Sequence, residues 1–472
     1  MMKFPARLAL TAIAAAALAG CSLTPELVRP AAPVAADFPP HAEPAASAAP
    51  VRSAVDIGWR EFFPDPRLQS LIAAALENNR DLRTAALRIE EARAQYNVQS
   101  ADLLPNLNGA ASASRSRTPA GISATGRPLL TNVYQIGVSV PAFELDFFGR
   151  VRSLNEAALA AYLATEEAQR AAQISLVAET AKAYLSELGA GEQLVLAQRT
   201  LEARQSAYDL AKQRFDVGAS SALDLRLSET LVQSARVSVL TLQRQQAQAR
   251  NALTLLVGRP LGDLPAGADL SSQNVVTAIP AGLPSDLLVN RPDIRAAETR
   301  LRAANANIGA ARAAFFPRIS LTAALGTAST ALSGLFDAGS MSWSFAPQLT
   351  LPIFDAGRNR GNLDLAVVRK DLAVTDYERT IQAAFREAAD ALVARGTLDE
   401  QVEAQRLVRE AQADRLKLAD QRFRAGIASS LDVLDAQREL FTAEQSLVQT
   451  RLQRLTNAVD VYRTLGGGLK VQ

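Results

Sequence analysis

Histidine and cysteine each occur once in this 472-residue chain, as His41 and Cys21. So little of either leaves almost nothing for a histidine-based acid–base site, a cysteine-rich metal centre or an internal disulfide. Methionine is nearly as rare: beyond the first two residues only Met341 is found, which argues against a soft-metal path lined with thioethers. Neither sign of charge dominates, with 50 basic residues against 48 acidic ones, so nucleic acid is not an expected partner. No run reaches the roughly 18 consecutive apolar residues of a membrane-spanning helix. A P-loop, a zinc motif and a nucleophile elbow are all missing. No catalytic residue, cofactor site or metal ligand is therefore expected, and the scattered Asp and Glu are read as solvated or paired charges along helix faces.

Proline is missing from two long stretches, between Pro141 and Pro260 and again after Pro352. Both are rich in Ala, Leu, Gln, Glu and Arg, so only glycine can interrupt helix propagation there. Leu194, Leu201, Tyr208 and Phe215 recur every seven residues, a narrow coiled-coil seam. The expected helices run from about Arg150 to Phe215 and from about Arg358 to Phe423, each on the order of 100 Å long. Return helices follow, and the last carries Leu434, Arg438, Phe441, Gln445, Val448, Leu452, Leu455, Val459 and Tyr462 in a four-and-three register. The breaks at Phe215-Asp216-Val217-Gly218 and Phe423-Arg424-Ala425-Gly426 lie 208 residues apart. The chain thus reads as a tandem duplication: helix, strand, loop, strand, long helix, turn, return helix.

The N-terminus has the layout of a secretory signal. Lys3 and Arg7 precede the apolar stretch Leu8 to Leu18, and Leu18-Ala19-Gly20-Cys21 follows. The last four resemble a bacterial lipobox, which makes Cys21 the expected N-palmitoyl and S-diacylglycerol cysteine, and Ser22 resembles the second residue of lipoproteins passed to the outer membrane. Residues 22 to 56 are rich in Pro and Ala and read as an extended tether without a core. A helix with Leu68, Leu71, Ile72, Ala75 and Leu76 on its apolar side comes next, and a second is expected from about Asp81, its N-cap. The segment from Leu288 through Asn290-Arg291-Pro292-Asp293-Ile294 is expected to start a helix ending at Phe315-Phe316-Pro317.

Asn106 to Ser114 and Tyr134 to Val140 alternate apolar with polar residues around a polar loop at 117–132, and the second repeat does the same around a loop at 327–341. Strands of this length and alternation suit a membrane β-barrel with lipid outside and water inside. Four strands cannot close a barrel, and an open edge is not tolerated in hydrocarbon. Copies of the chain must therefore share one, as a dimer with eight strands, a trimer with twelve or a tetramer with sixteen.

Several motifs then narrow the choice. Trp59-Arg60-Glu61-Phe62 with Asp65-Pro66-Arg67-Leu68, Asn290-Arg291-Pro292-Asp293-Ile294, Phe316-Pro317-Arg318-Ile319-Ser320-Leu321, and Gly426 followed by Leu431-Asp432-Val433-Leu434-Asp435-Ala436-Gln437 resemble the TolC-like outer-membrane factors. The likeness covers roughly 57 to 465 and leans to the lipoprotein branch serving resistance-nodulation-division (RND) efflux pumps. It implies a homotrimer: a mainly α fold with a twelve-stranded membrane β-barrel, four strands per chain, continuous with a twelve-helix periplasmic α-barrel. The expected layout is a signal peptide at 1–20 and a lipidated tether at 21–56. Periplasmic helices occupy 57–104 and 285–316, barrel strands with outer loops 105–146 and 317–354, long coiled-coil helices 147–258 and 355–465, and a connector 259–284. The expected location is the outer membrane, lipid-anchored, projecting into the periplasm. The implied partners are outer-membrane lipid, a periplasmic adaptor and an inner-membrane RND pump.

Function is expected at the two helix–turn–helix tips. Phe215, Gly218, Leu223 and Asp224 in the first and Gly426 and Asp432 in the second are the expected adaptor-docking residues. Asp435 falls one helical turn after Leu431, on the same face. The resemblance places Leu431 and Asp435 in constricting rings at the periplasmic mouth, with Phe423 nearby. Such rings favour cations and close a pore by steric contact or dewetting. Asp435 has Leu227 as its counterpart in the first repeat, so the acidic ring comes from the second tip alone. The expected function is the passive exit duct of a tripartite drug-efflux system. The alternatives are a duct for type I secretion or metal-ion efflux and, more remotely, a structural periplasmic lipoprotein.

Overall fold

The computed structural model describes residues 22–35, 37–38, 52–275, 279–280 and 284–471. Cys21, the segment 1–20 and His41 lie outside the described residues, as do parts of the 21–56 tether and of the 259–284 connector. In chain order the elements are α1 (Trp59–Phe62), α2 (Pro66–Asn78), α3 (Arg80–Ala101), β1 (Asn108–Thr118), β2 (Leu129–Leu145), α4 (Arg150–Asp216), α5 (Ala222–Val257), α6 (Pro284–Asn290), α7 (Pro292–Ala313), β3 (Arg318–Ser329), β4 (Met341–Thr350), α8 (Arg358–Arg424) and α9 (Ser430–Thr464). The two long helices, α4 and α8, have 67 residues each, the lengths permitted by the missing prolines. Among the described residues no helix is long and apolar enough to cross a membrane. The chain divides into two compact units.

The first unit comprises residues up to 31, 88–166 and 296–378, and its centre is one antiparallel sheet in the order β1-β2-β3-β4. The register puts Gly109, Ala111 and Ala113 of β1 on the same face as Tyr134, Ile136, Val138 and Val140 of β2. Leu325, Ala323 and Leu321 of β3 continue that face, and Trp343, Phe345 and Leu349 of β4 complete it. Ser112, Gln135, Ser139, Ser320, Ser344 and Gln348 lie on the other. Residues of β4 are exposed on both faces, and so is nearly all of β1. A bulge at Pro141-Ala142 shifts the register between Val140 and Phe143, with Ala142 held at φ 42°. Gly137 and Gly326 pair across β2 and β3, where a Cβ on Gly137 would meet the Leu325 carbonyl oxygen at 2.5 Å. The strands therefore approach there in a way only glycine permits.

At the helix-bearing end of the sheet, Glu144 accepts two bonds from Arg150, at 2.8 and 2.7 Å, and two from Arg318, at 3.1 and 2.6 Å. Phe148 stacks on Phe316 beside this junction, with ring centroids 4.8 Å apart. Over 22–31 the N-terminal segment, expected as an extended tether without a core, is docked on the helices of this unit. Asn305 donates to the Pro25 carbonyl at 2.8 Å, Arg312 to that of Leu23 at 3.3 Å, and Arg29 to the Tyr377 hydroxyl at 3.0 Å. The bonds from Asn305 and Arg312 satisfy carbonyls of an extended backbone that has no strand partner.

The second unit comprises residues 32–87, 167–295 and 379–472. Its core gathers Trp59, Phe62, Phe63, Leu68, Leu71, Ile72, Tyr184, Leu253 and Tyr462, all fully buried. Phe62 stacks on Tyr462 at 4.0 Å, which joins α1 to the end of α9. Along the first hairpin Leu194, Ala197, Val239 and Leu242 pack as one cluster, with Leu201 and Phe441 against it. In α9 Leu455, Val459 and Tyr462 of the expected seam are buried, but the first half of the helix differs from it. Ala436, Ala443, Leu447 and Thr450 are buried, whereas Leu434, Phe441 and Val448 remain half-buried on the adjoining face.

Three further expectations change. Asn79, not Asp81, caps α3: its Oδ1 accepts from the backbone N–H of Asp81 and of Leu82, each at 2.9 Å. The helix expected from Leu288 is two helices, α6 and α7, parted at Arg291 because Pro292 cannot donate to a preceding turn. Finally, the first outer loop is shorter than 117–132. Leu129 to Asn132 belong to β2 and pair with Arg115 to Thr118 of β1. Adjacent Leu129 and Leu130 break the alternation, and this hid the strand.

Candidate gating and docking tips

Both helical hairpins turn with the same backbone hydrogen bonds. Gly218 sits at φ 75°, its N–H bonded to the Phe215 carbonyl at 2.9 Å, and the Ala219 N–H reaches the Arg214 carbonyl at 2.7 Å. Gly426, also at φ 75°, repeats this with Phe423 at 3.0 Å, and Ile427 with Arg422 at 2.9 Å. Each is a Schellman closure, which needs the left-handed residue that glycine supplies. The return helices start with matching capping boxes. The Asp224 N–H donates to Ser221 Oγ at 3.1 Å and the Ser221 N–H to Asp224 Oδ2 at 3.4 Å. Asp432 and Ser429 do the same at 3.4 and 3.0 Å. Hydrogen bonds from Ser221, its hydroxyl first, hold the Asp224 carboxyl below the usual carboxylate range.

Beyond the turns the tips diverge. Phe215, Leu223 and Leu431 are exposed, whereas Phe423 is half-buried with the Arg214 guanidinium 5.4 Å over its ring. Ser430 donates to Asp224 Oδ1 at 3.3 Å, so the two tips touch. Between them lies a cavity of about 260 Å³ lined by Leu210, Ala211, Phe423, Val433 and Leu434, with Asp224 at its edge. Asp435 stands apart from this cavity. Arg415 on the opposite arm of the second hairpin donates to it at 2.7 Å, and Arg438, one turn on, at 2.5 Å.

The structure therefore brings Phe423 and Asp224 to one cavity, leaves Leu223 and Leu431 facing solvent, and gives Asp435 two cationic partners. Those partners were not anticipated. Arg438 was signalled by its i,i+3 spacing. Arg415 was signalled only by lying about as far before Gly426 as Asp435 lies after it, so that the arms of a hairpin bring the two together. No cluster of His, Cys, Asp or Glu able to hold a metal ion occurs among the described residues.

A duplicated pair of long helical hairpins joined to a four-stranded sheet with one apolar, exposed face defines a membrane-inserted channel subunit. The chain belongs to the outer membrane efflux protein family, whose profile matches residues 71–259 and 283–467. It is 48% identical over 460 residues to the probable efflux pump outer membrane protein TtgC of Pseudomonas putida, covering 97% of this chain and 94% of that one. Over 472 residues it is 49% identical to the outer membrane protein OprJ of Pseudomonas aeruginosa, covering 99% and 97% respectively. Among solved structures it resembles the open state of the MtrE outer membrane channel of Neisseria gonorrhoeae, with a TM-score of 0.87, 42% identity and coverage of 96% and 99%.

Proposed function

We propose that this chain is one of three identical subunits of an outer-membrane exit duct, fed through a periplasmic adaptor by an inner-membrane RND pump. The open sheet carries this reading. β1 and β4 are its two outer strands, and a free edge in hydrocarbon leaves unpaired N–H and C=O groups. Pairing β1 of one copy with β4 of the next closes a barrel, puts the apolar face toward lipid and the serine-rich face toward water. Three copies give the twelve strands expected of the family. Transport needs no chemistry by the duct, so no residue is assigned a catalytic role.

Small hydrophobic toxicants and antibiotics are the proposed cargo, as the pumps of several relatives bear the names antibiotic and toluene efflux pump. Acylation at Cys21 anchors the N-terminus. At rest the mouth is closed by Phe423, Leu431 and Asp435. Docking of the adaptor on Phe215, Gly218, Leu223, Asp224, Gly426 and Asp432 untwists the second hairpin against the first. Cysteines paired across the β1 and β4 edges test the assembly: oxidation in outer membranes is expected to yield a covalent trimer on gels. Cross-linked species that stop at dimer, or none at all, would refute it.

A further inference from the structure

The two hairpins of the sheet differ in charge. Between Asn106 and Phe143 there are three arginines, Arg115, Arg117 and Arg127, and no Asp, Glu or Lys. The matching stretch of the second hairpin, Ile319 to Ile353, contains one aspartate, Asp337, and no basic residue. Arg115 and Arg117 are exposed, on an outer strand of the sheet. Their pairing with Asn132 and Leu130 puts them on the face of Gly109, Ala111, Ala113, Tyr134, Ile136 and Val138. That is the apolar face. Along all four paired strands these two guanidinium groups are its only charges.

Their height along the sheet follows from the register. From Leu145, by the helix-bearing end, to Tyr134 the apolar face extends about ten residues. At about 3.3 Å per residue and a tilt near 40°, that is about 25 Å, the height of the lipid-facing band of an outer-membrane barrel. Arg115, opposite Asn132, lies just beyond Tyr134 on the loop side, and Arg117 one pair further. Both therefore stand where hydrocarbon gives way to headgroups, in the leaflet away from the helices. An arginine on a lipid-facing strand is tolerated at that depth and costly deeper in.

We propose that Arg115 and Arg117 form a binding site for the phosphate groups of the outer leaflet's glycolipid, the phosphorylated glucosamine headgroup of lipid A. This rests on the outer-membrane barrel reading above. Two arginines whose Cα atoms are about 7 Å apart on one strand face, with no carboxylate in their hairpin, can present several N–H donors to adjacent phosphate oxygens. Water alone also solvates an arginine that reaches past the hydrocarbon. Dependence on phosphate is what separates the two cases.

The test uses the full-length protein, purified as its oligomer and placed in nanodiscs containing lipid A, dephosphorylated lipid A or phosphatidylethanolamine alone. Lipid retained after delipidation is measured by mass spectrometry. The wild type is expected to retain lipid A at least about tenfold over the dephosphorylated form, and Arg115→Gln/Arg117→Gln to lose that preference. Inorganic phosphate at millimolar concentration is expected not to displace the lipid. Equal retention of the two lipids, an unchanged preference in the double variant, or displacement by free phosphate would each overturn the site. Arg152→Gln, at the helix-bearing end, is the matched charge control and is expected to keep the preference. Heat-modifiable migration of the oligomer, which does not depend on whether the mouth is open, is scored on every sample. Normal migration without lipid preference refutes the glycolipid site alone, whereas a wild type without heat-modifiable migration refutes the barrel.

Discussion

Tyr184 of α4 donates its phenol hydrogen to Asp65 Oδ2 across 2.8 Å, tying the first long helix to the N-cap of α2. The same carboxylate accepts from Gln273 Nε2 at 2.6 Å, from the Arg67 N–H at 2.8 Å and from the Ala268 N–H at 3.2 Å. Burial works to raise the pKa of this group, yet the four donors outweigh it and hold the carboxyl below its usual range. A depressed folded-state pKa contributes stability above the unfolded value that is lost as pH falls through the folded one. Thermal stability should therefore fall below about pH 4 in the wild type and respond less to acid in Asp65→Asn. Tyr184→Phe, which removes one donor without emptying space, should cost about 1 kcal/mol. Equal acid sensitivity in Asp65→Asn and the wild type would show that this hub does not govern the response.

The ion pairs of Asp435 with Arg415 and Arg438 offer a test of the proposed gate. Arg415 comes from one arm of the second hairpin and Asp435 from the other, so the pair fastens the arms near the turn. Exposed pairs of this kind contribute about 0.2–1 kcal/mol each. Removing both by Asp435→Ala should raise the open fraction of a closed channel by up to about tenfold, and Arg415→Gln by less. Resting conductance in planar bilayers reads this out. If Asp435→Ala opens the channel while Arg415→Gln does nothing, the acidic ring acts alone and the cross-arm pair is incidental.

How much of this was legible depended on how locally each feature is encoded. The long helices followed from absent proline. The tip turns followed from Gly218 and Gly426, because a Schellman closure and a capping box are decided within about a dozen residues. The sheet showed its alternation but not its extent, since Leu129 to Asn132 are held in β2 by pairing with Arg115 to Thr118 rather than by their own pattern. Least legible were the polar hubs. Asp65 meets Gln273 and Ala268 more than 200 residues away. Arg291, 7% exposed, meets Asp293, Glu387 and the Thr464 carbonyl; the Asn290-Arg291-Pro292-Asp293-Ile294 motif marked it out, but nothing in the sequence pointed to Glu387 or Thr464 as its partners. At the tips Asp435 drew attention as an acid one turn after Leu431, but its cross-arm partner emerges only once the hairpin is folded.

Gly309 of α7 forms a notch for the N-terminal segment. A methyl group there would lie 2.2 Å from Thr24 Oγ1 and 2.7 Å from Ser153 Oγ, whose hydroxyls are 3.2 Å apart. Gly309→Val should push the segment out of its seat and lower stability by about 1–3 kcal/mol. A Thr24→Cys/Ser153→Cys pair should oxidise to a disulfide when Gly309 is kept and fail to do so when Gly309→Val is added. Unchanged cross-linking in the Gly309→Val background would mean that the seat gives way without releasing the segment.

Trp343 and Ser344 are neighbours on β4 with opposite surroundings. Trp343 pairs with Leu325 on the apolar face, and Ser344 pairs with Ala324 on the serine-rich one. If the first face meets hydrocarbon and the second water, an arginine at 343 costs up to about 2–4 kcal/mol, depending on its depth, while one at 344 costs close to nothing. In a sheet packed on a soluble core the order would reverse or vanish, because a lumen-facing arginine would then be the buried one. Folding yield into lipid bilayers, scored by heat-modifiable migration, should fall sharply for Trp343→Arg and remain near wild type for Ser344→Arg. The added lumen charge should instead appear as a shift of the channel toward anion selectivity, a signature that mere tolerance at the surface would not give.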